Sequence, residues 1–261
     1  MSAHRSRCIR YAQLVSCGLT LCLSLVVHAQ VNIEKERGDE RSGLHLSLDG
    51  SLNVIRGNVS LTQLGLGGRA QWQRGSHLAF LTGSMAYGER EELAFLDQSF
   101  WHARWTTMWW ARVGGELFAQ LQEDAFRNLN LRQLYGGGAR LLIADGEHAK
   151  VAAGLGYMFE RESYQDSGGS ELELNHRVTS YLSLIYQLPS NPSVSLNDTL
   201  YLQPNLSASE DYRALNELSL EVKLSDKLRL VESVTTLYDS APPPGVKRVD
   251  LRSMTTLRLT L

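Results

Sequence analysis

The feature that most constrains this chain is a two-residue alternation of apolar and polar side chains, repeated about every 18 residues from residue 43 onward. In Arg127–Gly146, Leu129, Leu131 and Leu141 hold one parity and Arg132 and Arg140 hold the other. Successive side chains of a β-strand point to opposite faces, so the pattern predicts strands with one apolar and one polar face. After the first thirty residues, no run reaches the roughly 20 apolar residues of a spanning helix. If the chain crosses a membrane, it does so as strands.

Twelve alternating segments are predicted. Each is at least as long as the roughly 9–11 residues that a tilted transmembrane strand needs. They cover residues 43–55, 59–73, 77–88, 98–109, 112–124, 128–143, 149–162, 171–188, 193–205, 214–224, 227–238 and 248–261. A soluble sandwich would need a second layer against the apolar face, whereas a closed barrel in lipid needs none. The sequence therefore favours an all-β fold, a single up-and-down antiparallel transmembrane β-barrel of about 12 strands. A soluble periplasmic barrel or sandwich is the alternative.

The connections between these segments alternate in length along much of the chain. Short turns rich in Gly, Asp, Asn, Ser and Pro alternate with longer polar connections at residues 88–97, 163–170, 207–213 and 239–248. A barrel with both ends in the periplasm is expected to have short periplasmic turns and longer outer loops. Arg56–Asn58 departs from the pattern, because it is a tight turn where an outer loop is due.

Tryptophans in the fourth segment share the apolar parity. Trp101, Trp105 and Trp109 would then point outward from a strand, as the aromatic residues of an interfacial girdle do. The spacing of Trp101, Trp105 and Met108 is also that of an amphipathic helix. We favour the strand.

The N-terminus has the pattern of a secretory signal peptide. A basic start without acidic residues precedes the apolar run Gly18–Val27, and small residues end at Ala29. We predict cleavage after Ala29, a flexible lead-in over residues 30–42 and a barrel over residues 43–261. All three cysteines lie in the signal, so the mature chain would form no disulfide.

The charge balance argues against nucleic acid as a partner. Three of the 26 basic residues lie in the predicted signal, which leaves 23 against 28 acidic residues and a net charge of −5. The expected partners are outer-membrane lipid and lipopolysaccharide, the barrel-assembly machinery, and small solutes or ions.

One pair resembles a catalytic motif. The spacing of His45 and Ser47 resembles that of outer-membrane phospholipases and lipid A deacylases, whose reactive pair must face lipid. Here Leu44, Leu46 and Leu48 hold the apolar face and the pair lies on the polar one. We predict no catalytic residue and no enzymatic activity.

No metal or cofactor motif occurs in the sequence. The mature histidines are scattered over different segments, without HxH, HExxH or CxxC spacing. Two acidic pairs, Glu160 with Glu162 and Glu171 with Glu173, flank a predicted outer loop. They are either solvated carboxylates or a site for a divalent cation that bridges lipopolysaccharide.

Charged residues of both signs fall on the polar parity and would line the lumen, whereas Leu129 and Leu141, on the apolar parity, would face lipid. The candidates are Arg112, Glu116, Arg132, Arg140, Lys150, Glu160, Glu173, Arg177, Glu221, Lys223, Arg229, Arg252 and Arg258. A barrel of twelve strands lies between those filled by side chains and those with a water channel. Either these charges pair across a closed lumen, or they line a small pore. In a pore, the basic strands 128–143 and 248–261 would favour anions, and replacing Arg132 or Arg140 would change the selectivity.

Two tracts carry a family resemblance, Glu116–Leu142 with its RxLYGGG-like strand and Tyr238–Leu261 with its PPGV loop. They resemble the family of salt-induced outer-membrane proteins, a domain of unknown function. The resemblance implies an outer-membrane β-barrel without established catalytic activity and a role in the envelope's response to salt stress. The final Leu261 departs from the aromatic residue that commonly ends such barrels, which implies weaker recognition by the assembly machinery. The alternative function is a plugged barrel that binds partners through its loops.

Overall fold

The computed structural model describes residues 42–55, 61–127, 129–166, 169–242 and 247–260, which form a closed antiparallel barrel. The strands are β1 (Gly43–Ile55), β2 (Leu61–Arg74), β3 (His77–Arg90), β4 (Leu93–Met108), β5 (Val113–Asp124), β6 (Leu129–Asp145), β7 (Ala149–Asp166), β8 (Gly169–Gln187), β9 (Val194–Pro204), β10 (Tyr212–Lys223), β11 (Leu228–Asp239) and β12 (Val249–Thr260). Each strand pairs with the next along the chain. The predicted up-and-down architecture and strand number are confirmed.

The first and last strands pair and close the barrel. The sequence alone did not show whether they would. The pairs that join β1 to β12 run from Ser47–Thr260 to Gly50–Leu257. The pairing of β1 with β2 is much longer, from Gly43–Gln73 to Ile55–Leu61. The barrel is therefore closed through a short seam.

The two ends of the barrel carry different connections. We call the end where β1 begins and β12 ends the terminal rim, and the opposite end the loop rim. The turns after β2, β4, β6, β8 and β10 lie at the terminal rim, and each is six residues or shorter. Within the described residues, no helix is long and apolar enough to cross a membrane.

The prediction of a long loop is wrong for two connections, those at residues 88–97 and 163–170. Between β3 and β4 the strands meet at a two-residue turn, in which Glu91 and Glu92 both have positive φ, 52° and 68°. That geometry matches the right-handed twist of the flanking strands, so the pairing continues from Arg90 to Leu93. Strands β7 and β8 likewise extend to Asp166 and from Gly169, through most of the predicted loop 163–170.

Several predicted features lie outside the described residues. They are the signal peptide, the lead-in except Ser42, the Arg56–Asn58 turn, part of the proline-rich connection and Leu261.

The outer face of the barrel is apolar. Large hydrophobic side chains are exposed on strand after strand, with Leu52, Leu93 and Leu117 more than 65% accessible. Trp101 and Trp105 point outward from β4, which is a strand, so the helical alternative for this segment is wrong. Monomeric soluble proteins rarely expose contiguous apolar patches of more than a few hundred Å². We call this surface the apolar belt.

Aromatic rings cluster at both ends of the apolar belt. Near the terminal rim the ring centroids of Trp72 and Trp105 are 6.1 Å apart, and His77 packs on Trp105. At the loop rim Tyr212 and Tyr238 stack with their centroids 5.3 Å apart. The arrangement is that of interfacial girdles.

Glycines leave part of the inner wall of β6 and β7 without side chains. Gly138 and Gly156 face each other in register. Rings from neighbouring strands occupy the space, with Phe118 against Gly136 and Tyr181 against Gly154. The glycines thus leave interior room for large neighbours, as the sequence predicts.

One predicted side-chain direction is wrong. Leu129 is not in the apolar belt but is 2% exposed inside the barrel, whereas Leu141 does face outward. The pairing of β6 with β7 shifts register between Leu129 and Leu131. A bulge of this kind adds one residue and inverts the inside–outside alternation on its far side.

Candidate functional site

The inner wall near the loop rim carries a dense cluster of charged residues, the ionic layer. Its members are three arginines and four carboxylates: Arg132, Arg177, Arg213, Glu160, Glu162, Asp211 and Asp239. All but Asp211 are at most 4% exposed. Such burial of charge is tolerated when every member is paired.

Glu160 is the centre of the ionic layer. Its carboxylate accepts hydrogen bonds from Arg177 Nε at 3.1 Å and Arg213 Nη1 at 2.7 Å. Arg132 lies 3.9 Å from the same carboxylate and bonds Glu162 directly. Arg177 also contacts Asp211 at 2.7 Å.

Arg213 spans the interior of the barrel. It lies on β10, yet it reaches Glu160 and Glu162 on β7, at 2.7 and 3.3 Å, as well as Asp239 on β11 at 3.0 Å. Strands β8 and β9 separate β10 from β7 in the wall. The side chain therefore crosses the lumen directly from β10 to β7. At the level of the ionic layer, it fills the part of the lumen next to β6 to β11.

A second set of contacts, the tyrosine layer, lies nearer the terminal rim. Tyr181 on β8 donates to Glu116 on β5 at 3.0 Å and accepts from Arg140 at 2.6 Å. Arg104 pairs with Glu116 at 3.1 Å and lies 6.0 Å from the centroid of the Tyr181 ring. This layer also crosses the lumen, because β6 and β7 separate β5 from β8.

A third cluster bridges the seam. Arg258 on β12 contacts Asp49 on β1 at 2.9 Å and Glu221 on β10 at 3.4 Å. Glu221 also pairs with Arg229. These side chains are more accessible than those of the ionic layer and carry charge into the remaining part of the lumen.

The seam side of the lumen, away from the ionic layer, holds a cavity of about 140 Å³, the lumen cavity. Its walls come from β1 to β4, β11 and β12. Its wall combines hydroxyl and amide groups and the guanidinium groups of Arg252 and Arg258 with glycines and apolar side chains such as Phe100. A cavity of this size with several polar groups in its wall has room for several waters.

The remaining predicted lumen residues lie apart from these clusters. Arg112 is exposed in the turn between β4 and β5, and Glu173 is exposed on β8 near the loop rim. Lys150 lies at the terminal rim, 3.6 Å from Asp145. Lys223 is exposed there too, and its 2.8 Å hydrogen bond and its charge lower the pKa of Asp226.

Seven members of these clusters were not predicted to line the lumen: Asp49, Glu162 and Tyr181, and also Arg104, Asp211, Arg213 and Asp239. Arg213 and Asp211 fall in the polar stretch 207–213, which suggests a loop. Asp239 ends a strand and begins the proline-rich connection. Arg104 does follow the polar parity of its strand, so alternation alone could have identified it.

The acidic pair Glu160 and Glu162 does not form a surface cation site. Both carboxylates are buried among the arginines of the ionic layer. Among the described residues, no group of three or more His, Cys, Asp and Glu side chains is placed to hold a metal ion. His45 and Ser47 lie on the inner face of β1, away from the apolar belt.

A family model described as "Protein of unknown function, DUF481" matches residues 49–260. No curated protein matches the chain significantly. Among solved structures, the NanC porin has a TM-score of 0.49 and 8% identity over 82% of this chain and 97% of that one. The translocator domain of autotransporter NalP from Neisseria meningitidis has a TM-score of 0.49 and 13% identity, over 87% and 91%. The KdgM porin in complex with disordered oligogalacturonate gives 0.44 and 10%, over 83% and 96%.

Proposed function

We propose that this chain, which belongs to the DUF481 family of proteins of unknown function, is a non-enzymatic barrel of the outer membrane that passes small anionic or polar solutes. The observation that carries the proposal is the pairing of an apolar belt outside with a polar, partly open lumen inside. An apolar outer face around a polar interior is the reverse of the arrangement in a soluble protein and is typical of barrels in lipid.

Insertion in a membrane is supported by the apolar belt. Leucines and tryptophans project outward, and no second layer among the described residues covers them. In water this surface would cost roughly 25 cal/mol per Å² of apolar area left uncovered. The soluble alternative would have to bury the belt in another way.

The proposed path is off-centre. The ionic and tyrosine layers occupy the lumen on the β4–β11 side, through Arg213 and Tyr181. The lumen cavity lies on the other side, against β1 to β4, β11 and β12. Solutes would therefore pass along the seam side of the barrel and not along its axis.

Anion preference is supported by the charges of that side. Arg252 and Arg258 both face the cavity from β12, while Asp49 is paired with Arg258. Cationic side chains on a pore wall raise the local concentration of anions.

The test is conductance of the purified, refolded protein in a planar bilayer with a salt gradient. A shift in gel mobility between unheated and boiled samples first establishes that the barrel is folded. We expect small, reproducible steps with a reversal potential on the anion side. A folded barrel that gives no steps would contradict the proposal.

Arg252→Gln tests the selectivity. Because this change removes one cation from the cavity wall, the reversal potential is expected to move toward zero, by roughly a twofold to fivefold fall in the anion-to-cation permeability ratio. The matched control is Arg161→Gln, which removes an arginine on the outer face that bonds Gln133. An equal shift in both variants would show that Arg252 does not set selectivity.

A plugged barrel is the second candidate. It is favoured by the side chain of Arg213, which crosses the lumen. In that case wild-type protein is silent and its loops carry the function. Arg132 and Arg140, which pair with Glu162 and Glu116, would then help to close the lumen and would not set its selectivity.

Export and assembly are also part of the proposal. The signal at residues 1–29, with cleavage after Ala29, would send the chain to the periplasm, where the barrel-assembly machinery inserts it beside lipopolysaccharide. A part in the response to salt stress remains a proposal that rests on the resemblance of the two tracts described above. N-terminal sequencing of the protein recovered from outer membranes tests the cleavage site.

A further inference from the structure

The outer face of the barrel carries two cross-strand rows of side chains where β2 to β6 approach the terminal rim. The edge row, nearer the rim, is paired in register from strand to strand and consists of Arg74, His77, Thr107 and Gly115. The deeper row lies further into the apolar belt and consists of Trp72, Ala79, Trp105, Leu117 and Gly137. Polar groups thus stand directly beside an aromatic and apolar surface.

One hydroxyl joins the two rows. Trp105 Nε1 donates to Thr107 Oγ1 at 2.8 Å, and the same oxygen lies 2.9 Å from His77 Nδ1. An indole nitrogen can only donate, so the hydroxyl has its own proton to give to His77 Nδ1. In that arrangement the imidazole proton lies on Nε2. The edge row then presents an N–H donor of His77 beside the guanidinium of Arg74.

The charge of this part of the rim is positive. Arg74 is exposed, and no carboxylate among the described residues pairs with it. Arg112, exposed in the turn after β4, is a second cation. Neither row contains an acidic residue, and neither do the turns at residues 75–76 and 109–112. The acidic turn residues Asp145 and Glu147 follow β6. The edge row therefore suits an anion.

A groove in the apolar belt adjoins the edge row. Its volume is about 400 Å³ and its wall is almost wholly apolar, with Trp105 and Leu117 among the lining residues. Two glycines lower the outer wall here: the Trp109 ring lies over Gly115, and Leu117 lies against Gly137. Glycine in a strand often marks a place where a ligand comes close to the backbone. In a membrane this groove opens to hydrocarbon, so the ligand that it fits is an alkyl chain.

We propose that the edge row and the groove together bind one anionic phospholipid, with its phosphate at Arg74 and His77 Nε2 and an acyl chain in the groove. The inference rests on the membrane insertion proposed above. Phosphate oxygens accept charge-assisted hydrogen bonds from guanidinium groups, and tryptophan rings favour the depth where headgroups meet acyl chains. A free phosphate would leave the groove empty, whereas a phospholipid uses both features. The terminal rim, with its short turns, is the end expected at the periplasmic side of the membrane.

Intrinsic fluorescence tests the site, because all five tryptophans lie between residues 72 and 110, on β2, β4 and the turn after β4. The refolded protein is placed in liposomes of phosphatidylglycerol and phosphatidylcholine, with bromine on the acyl chains of one lipid at a time. Brominated chains quench the tryptophans that they contact. We expect a relative binding constant that favours phosphatidylglycerol roughly fivefold, since basic residues at a membrane surface attract anionic lipid. Equal quenching by the two brominated lipids would overturn this inference alone. Tryptophans that neither lipid quenches would overturn the proposed membrane insertion, and this site with it.

Two substitutions separate a phosphate site from a general attraction by surface charge. Arg74→Gln is expected to bring the preference close to one. Arg161→Gln, which removes an arginine of the outer face on β7, is the matched control and is expected to keep the preference. His77→Phe keeps a ring beside Trp105 but removes the Nε2 donor, so it is expected to roughly halve the preference. An equal loss in Arg74→Gln and Arg161→Gln, or a preference that His77→Phe leaves unchanged, would contradict the assigned phosphate contacts.

Discussion

Replacing Arg213 with leucine is expected to lower the free energy of unfolding by about 3–5 kcal/mol. The substitution removes the guanidinium that holds Glu160, Glu162 and Asp239 and leaves buried carboxylates with too few cations. Urea titration of the refolded protein in liposomes, followed by gel mobility, measures the change. The same variant is expected to enlarge the conductance, since the side chain that crosses the lumen is gone.

Lys223→Leu is the control for that measurement. Lys223 also makes an ion pair, with Asp226 at 2.8 Å, but it does so in a solvated turn. Exposed pairs contribute little to stability because water and salt screen them, so little change is expected. If Arg213→Leu lowered the free energy of unfolding as little as Lys223→Leu does, water would have to solvate the ionic layer, and its ion pairs would contribute little.

A second substitution separates lost packing from unpaired charge. In the background of Arg213→Leu, changing Glu160→Gln removes one of the carboxylates that lost one of their arginine partners. Because residues of one ion-pair network are coupled, the double variant is expected to recover part of the lost stability. Additive losses would contradict the network.

Gly138→Ala is expected to destabilise the barrel by about 1–3 kcal/mol by forcing β6 and β7 apart. A Cβ at this position would meet the Leu155 carbonyl and lie 2.5 Å from the Gly156 Cα, both of them backbone atoms of the paired strand. Backbone in a closed ladder has little freedom to move away. The same urea titration measures the effect.

Gly50→Ala is the control for Gly138→Ala. Gly50 lies on β1, and a Cβ there has no atom within 4 Å. Alanine also suits a strand interior at least as well as glycine does, so stability is expected to stay the same or to rise slightly. If both variants lost equal stability, the crowding at Gly138 would not be the cause.

The strands and their faces were predictable because the two-residue period is written directly in the sequence. Arg132 and Arg140 share the parity opposite to Leu141, and the barrel places all three accordingly. Bulges cannot be predicted from this period. One inserted residue inverts the inside–outside alternation of the strand, as at Leu129.

The partners of the lumen charges were not predictable. Whether Arg213 meets Glu160 depends on strand tilt and stagger, which bring residues of β10 and β7 to one height across the lumen. Nothing in the local sequence around residues 160 or 213 carries that information. The sequence therefore indicated that the interior is charged, while the pairing that closes one sector of the lumen needed the three-dimensional structure.

The short seam has a consequence for how the chain assembles. We expect Ser47 and Thr260 to be joined after most other strands are paired, because more than two hundred residues separate them. Contacts of such long sequence separation form slowly. Until they do, β1 and β12 are open edges that attract other strands. The last step of folding, the zipping of four residue pairs from Ser47–Thr260 to Gly50–Leu257, is thus expected to set the rate at which the barrel matures and to be the interval in which it aggregates.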